Sequence, residues 1–96
     1  MGLIWKKRKL EIRMLILVAI EEELKRSELP DHEIEYIGVG KVNAVLNTLN
    51  AIEKYSPTQI VNFGTAGSLD ENIKGLVEVS SFFQRDMDAS PLGFKV

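Results

Sequence analysis

The chain has 96 residues, twelve Lys and Arg against fourteen Asp and Glu, a formal charge of −2 and no cysteine. With 45% apolar and 27% charged residues, it is neither collagen-like nor disordered, and it holds no disulfide framework, Cys-based zinc site or thiol nucleophile. Near-balanced charge excludes a strongly basic nucleic-acid binder, and the longest apolar run, the seven residues Met14–Ile20, is far short of the roughly 20 needed to cross a bilayer.

In chain order, residues 1–13 come first as a basic extension around Lys6-Lys7-Arg8-Lys9. Glu11-Ile12-Arg13 follows the basic run where a secretory signal would carry an apolar segment and a cleavage site, and Met14 would serve as a natural start. Met14-Leu-Ile-Leu-Val-Ala-Ile20 is continuously apolar, which predicts a strand buried on both faces, as in parallel sheets. Glu21-Glu22-Glu23-Leu24-Lys25-Arg26 predicts a helical turn with acids first and bases last, the order the helix dipole favours. A loop is expected over 27–32, and a second strand over 34–39. Val42, Val45, Leu46, Leu49, Ile52 and Tyr55 recur at helical spacing, so an amphipathic helix should face the core with that stripe. Pro57 ends it. Residues 59–64 predict a third strand running into Thr65-Ala66-Gly67-Ser68, residues 76–83 a fourth, and 84–96 an irregular loop. Strands alternating with helical segments imply an α/β fold with a mainly parallel sheet. Ligands then sit beyond the carboxyl ends of the strands.

The motifs there are ambiguous one by one. Gly38-Val39-Gly40-Lys41 lacks both the spacing and the Ser/Thr of a phosphate loop and has no third glycine for a dinucleotide fingerprint, so a tight strand-to-helix turn is favoured. Gly64-Thr65-Ala66-Gly67-Ser68 has side chains small enough to open backbone N–H groups to a nucleoside, or is a simple turn. The Glu21–Glu23 run is a solvated helix start, or one of its members faces a pocket where desolvation raises its pKa. Asp86-Met87-Asp88 is a carboxylate pair for Mg²⁺, or more plainly a loop cap or a salt bridge to Arg85. His32, the single histidine, supports no Ser-His-Asp site, and neither a metal nor a cofactor is expected.

Together, however, Leu-Val-Ala-Ile-Glu-Glu-Glu-Leu (17–24), Gly-Val-Gly-Lys-Val (38–42), Val-Asn-Phe-Gly-Thr-Ala-Gly-Ser-Leu (61–69) and Asp-Met-Asp-Ala-Ser-Pro-Leu-Gly-Phe (86–94) give a chain that resembles the purine nucleoside phosphorylase/nucleosidase superfamily. The resemblance runs from Met14 onward and is greatest to bacterial 5′-methylthioadenosine/S-adenosylhomocysteine nucleosidases. It implies a three-layer phosphorylase/hydrolase-like sandwich, present over 14–96 as its amino-terminal part, and a cytoplasmic homodimer acting in methionine salvage with a purine nucleoside as substrate, with no nucleic-acid or membrane partner. By resemblance Glu23 orients or activates the attacking water, with Glu22 as its neighbour to test. Ile20 and Val39 line the ribose and 5′ side, Thr65, Ala66 and Gly67 form the nucleoside floor, and Leu92 and Phe94 reach the 5′ pocket of a partner subunit.

Two departures matter to that expectation. Where phosphorylases of the superfamily hold phosphate-binding arginines, this chain has Glu21–Glu23 and Asn62-Phe63, which turns the expected reaction from phosphorolysis, the alternative, toward hydrolysis. Family members also continue well beyond this length with the Met-Glu ribose clamp and the aspartate that protonates the purine. A chain ending at Val96 is therefore expected to be inactive alone, or to be a non-catalytic piece that needs a partner.

Overall fold

The structure, a computed structural model, describes residues 13–84 and 86–93. The basic run Lys6-Lys7-Arg8-Lys9, Arg85 and Phe94 lie outside the described residues. The chain divides into two compact units, one ending at Ala66 and the other beginning at Gly67.

The first unit is built on β1 (Met14–Val18), β2 (Glu33–Tyr36) and β3 (Gln59–Phe63), with helix α1 (Lys41–Tyr55) between the last two strands. All pairing is parallel, in the order β2-β1-β3, with Ile16 opposite both Ile34 and Val61. The apolar run becomes the central strand because both of its faces are covered. Leu15 and Leu17 pack with Ile37 and Ala51 on the α1 face, while Ile16 and Val18 pack with Leu24 and Ile34 on the other. Leu15, Ile16, Leu17 and Val18 are all 5% exposed or less, and each such burial contributes about 1.5–3 kcal/mol.

The ladder continues past the strand ends. The amides of Ile37 and Gly38 donate to the carbonyls of Val18 (2.8 Å) and Ala19 (3.0 Å), so much of the second strand expected over 34–39 is paired. At the amino end, Thr58 and Gln59 donate to the Arg13 carbonyl, and the Arg13 amide donates to Thr58 Oγ1 at 2.7 Å.

Three expectations change. The helical turn expected after β1 is instead two short 3₁₀ turns, Glu21–Glu23 and Arg26–Glu28, separated because Leu24 takes an extended conformation that carries its side chain into the core. The helix over 41–55 forms, but its large apolar stripe does not face the sheet. Val42, Val45, Leu46, Leu49 and Ile52 are 37–82% exposed, and the side turned inward carries Ala44, Ala51 and Tyr55. Ala51 is buried against Leu15, Leu17 and Ile37, and Ala44 and Tyr55 pack beside it.

The second unit has no strand among its described residues. Leu76, Val77, Val79, Phe82 and Phe83 are exposed, and no β-ladder forms over 76–83; an alternating pattern needs a neighbouring strand to satisfy its backbone groups. The unit is held locally by turns. Ser68 Oγ donates to the Asp70 carbonyl at 2.6 Å, Asp70 Oδ1 takes the Asn72 amide at 2.9 Å, and a 3₁₀ turn spans Ser90–Leu92. No helix among the described residues is long and apolar enough to cross a membrane.

Candidate active site

Because the three strands are parallel, their carboxyl ends share one edge of the sheet. Ile20 and Glu23 follow β1, Val39 follows β2, and Gly64 and Thr65 follow β3. The first 3₁₀ turn closes when the Glu23 amide donates to the Ile20 carbonyl at 3.1 Å. Its downstream end is tied by the Tyr36 hydroxyl, which donates to the Leu24 carbonyl at 2.8 Å, while the Arg26 guanidinium lies 5.0 Å from the Tyr36 ring centroid. The segment bearing Glu23 is thus pinned on both sides to β1 and β2.

The Glu23 carboxylate meets Thr65, 42 residues later. Its Oε2 accepts the Thr65 amide at 2.7 Å and the Thr65 hydroxyl at 2.8 Å. Neither bond uses Oε1. The Thr65 hydroxyl, then the Thr65 amide, hold the Glu23 carboxyl below the ordinary glutamate range. Partial burial opposes them, and the Ile20 backbone adds a smaller pull in the same direction. A pKa raised by desolvation, one of the two readings of this acidic run, is therefore corrected: donors to the charged form outweigh burial. Glu23 is an anion at neutral pH, suited to accepting a hydrogen bond from a water and to facing a developing cation.

The strand-to-helix turn after β2 is set by glycines. Gly38 and Gly40 have φ of +81° and +93°, a region costly for other residues, and a Cβ at Gly38 would stand 3.2 Å from Asn43 Cβ. Asn43 and Asn47, one helical turn apart, donate to the carbonyls of Val39 (2.9 Å) and Ile37 (2.8 Å). The turn leaves room for the Asn43 side chain at Gly38, and Val39, 70% exposed, is presented by it. Sequence reasoning passed over Asn43, whose partner is four residues back, and Asn47 and Tyr36, whose partner carbonyls lie ten and twelve residues away. Ile20 is 39% exposed, on the same strand edge as Glu23.

Ala66 is exposed beside Thr65. Gly67 belongs to the second unit, as does Leu92, which is 80% exposed in the Ser90–Leu92 turn. In that unit Asp88 accepts the Ser90 amide at 2.9 Å, and the Ser90 hydroxyl and amide lower its pKa. Asp86 accepts from Gln84 Nε2 at 3.2 Å. The geometry of Asp88 is that of a turn cap. Among the described residues, no group of three or more His, Asp or Glu is placed to hold a metal ion. A cavity of about 570 Å³ opens at the opposite, amino-terminal edge of the sheet, lined by residues including Arg13, Asp31, His32, Glu33 and Tyr55. It lies at the other end of the strands from the Glu23–Thr65 pair, and because ligands of open parallel sheets sit outside the carboxyl ends of the strands, that edge is the better candidate.

Residues 32–96, more than half of the chain, match the phosphorylase superfamily. The chain belongs to this superfamily. The matched span takes in the Gly38–Gly40 turn, α1 and Thr65 and begins after Glu23. Among curated relatives, the 5′-methylthioadenosine/S-adenosylhomocysteine nucleosidase of Staphylococcus haemolyticus is 39% identical over 61 residues, covering 62% of this chain and 27% of the relative. The protein of the same name from Staphylococcus aureus strain JH9 is 41% identical over 71 residues, covering 70% of this chain and 31% of the relative. The chain thus spans about three tenths of the length of these relatives. No solved structure matches it. A parallel three-stranded sheet with its helix is a partial phosphorylase-superfamily α/β fold.

Proposed function

We propose that this chain forms the water-orienting side of a nucleosidase that hydrolyses the N-glycosidic bond of 5′-methylthioadenosine or S-adenosylhomocysteine. The observation that carries the proposal is the seat of Glu23: Thr65 holds Oε2 with two donors, and Oε1 is the oxygen assigned to the attacking water. An anionic carboxylate there stabilises the positive charge that develops on the ribosyl ring as the purine leaves. It also orients the water for attack at the anomeric carbon. Ile20 and Val39 flank the ribose and 5′ group, and Thr65, Ala66 and Gly67 form the nucleoside floor. In the homodimer of the same proposal, the resemblance assigns Leu92 and Phe94 to the partner's 5′ pocket. Support comes from the names of the relatives and from the three carboxylates that follow β1. An anionic run there opposes phosphate, whose recognition calls for cations.

The test is adenine release from 5′-methylthioadenosine by a chimera in which residues 14–69 replace the matching segment of the Staphylococcus haemolyticus relative. Release without phosphate is expected, and Glu23→Gln should lower it by about 10²- to 10⁴-fold, the range for a positioned acid–base group. Strict phosphate dependence would establish the phosphorylase alternative, and undiminished turnover in the Gln variant would remove Glu23 from the role. Because Thr65 depresses the Glu23 pKa, activity should persist on acidification until pH falls through that depressed value. Thr65→Val should move this acid limb to higher pH.

A further inference from the structure

We infer that Gly64 is a positioning residue for Glu23, because its missing Cβ is the space in which the carboxylate reaches both Thr65 donors. The inference rests on the role proposed for Glu23 and adds to it what keeps that carboxylate in place. A Cβ built on Gly64 would lie 3.3 Å from Glu23 Oε2, and beyond its two chain neighbours no other described atom stands within 4 Å of it. That oxygen is the one that accepts the Thr65 amide and hydroxyl at 2.7 and 2.8 Å. Gly64 is not among the glycines with positive φ, which are Gly38, Gly40, Gly75 and Gly93. Its backbone is therefore open to alanine, and the usual reason for a turn glycine does not apply.

An added methyl would meet only the far end of a flexible side chain. The fold has no reason to fail, and the carboxylate must yield by a few tenths of an ångström. Hydrogen bonds at 2.7–2.8 Å lose strength quickly when stretched and bent. Gly64→Ala should therefore lengthen and weaken the bonds of Glu23 to Thr65 while leaving the sheet intact. Gly67→Ala is the matched control, since it also lies outside the positive-φ set and a Cβ there meets nothing within 4 Å.

The experiment is a carbon-detected NMR pH titration of the side-chain carboxyls in the full 96-residue chain, with Glu23→Gln assigning the Glu23 signal and the Thr65 amide proton followed alongside. In the parent chain Glu23 should titrate below the ordinary glutamate range. In Gly64→Ala its midpoint should rise toward that range and the Thr65 amide proton should move upfield, with the remaining spectrum retained; Gly67→Ala should change neither. An unmoved Glu23 midpoint and Thr65 amide in Gly64→Ala would overturn the inference, as would equal shifts in both alanine variants. If Gly64→Ala loses the folded spectrum, recovery in Gly64→Ala combined with Glu23→Ala would uphold the contact, and continued loss would overturn it. The titration needs no substrate. Its failure leaves hydrolysis standing as tested by adenine release, and failed adenine release leaves the seat of Glu23 standing.

Discussion

Strand β1 and helix α1 each carry large apolar residues, and these meet opposite fates. Four successive residues of β1, Leu15 to Val18, are almost wholly buried, whereas five large apolar residues of α1 remain 37–82% exposed. The strand has no choice of face, since α1 covers one side and the segment holding Leu24 and Leu29 covers the other. The helix has a choice, and close contact through Ala44 and Ala51 settles it, together with the Asn47 bond to the Ile37 carbonyl. An amphipathic period identifies a helix; it does not say which apolar surface the sheet takes.

The comparison is broken most severely at its buried end. Leu15→Ala should cost about 2–5 kcal/mol, the range for a core leucine, and in a unit with one small sheet this should abolish a cooperative thermal transition followed by circular dichroism. Tyr36→Phe should cost about 1 kcal/mol by removing the hydrogen bond to the Leu24 carbonyl. Faster amide exchange confined to residues 21–25 would show that the tie holds the Glu23 turn. Leu49→Ala, on the exposed stripe, should shift the urea midpoint by less than about 0.5 kcal/mol in equivalent stability. A cost above about 1 kcal/mol, or a concentration-dependent midpoint, would mean that the stripe is covered in solution.

The fold was legible where local and global demands agree. The runs Met14–Ile20 and 59–64 each specify a strand whose pairing then exists, and the helical period over 42–55 specifies a helix that forms. It was illegible where an element needs a partner that periodicity does not name. Residues 76–83 alternate like a strand yet pair with nothing in a ladder, and the acidic segment after β1 bends into two 3₁₀ turns because Leu24 must enter the core. For the candidate site, Glu23 and Thr65 were each legible from their motifs, but not as partners. A hydrogen bond across 42 residues exists only once β1 and β3 lie side by side.

By itself, the amino-acid sequence determined the class of fold, the order of its elements and the resemblance to the phosphorylase superfamily, because these follow from local periodicity and from short motifs in fixed order. Tertiary structure alone decided which face of α1 meets the sheet, that the Glu23 pKa goes down rather than up, and that Gly64 borders a carboxylate. Each of those depends on distances between segments far apart in the chain. Such distances are set by strand register and by which side chains pack against the sheet.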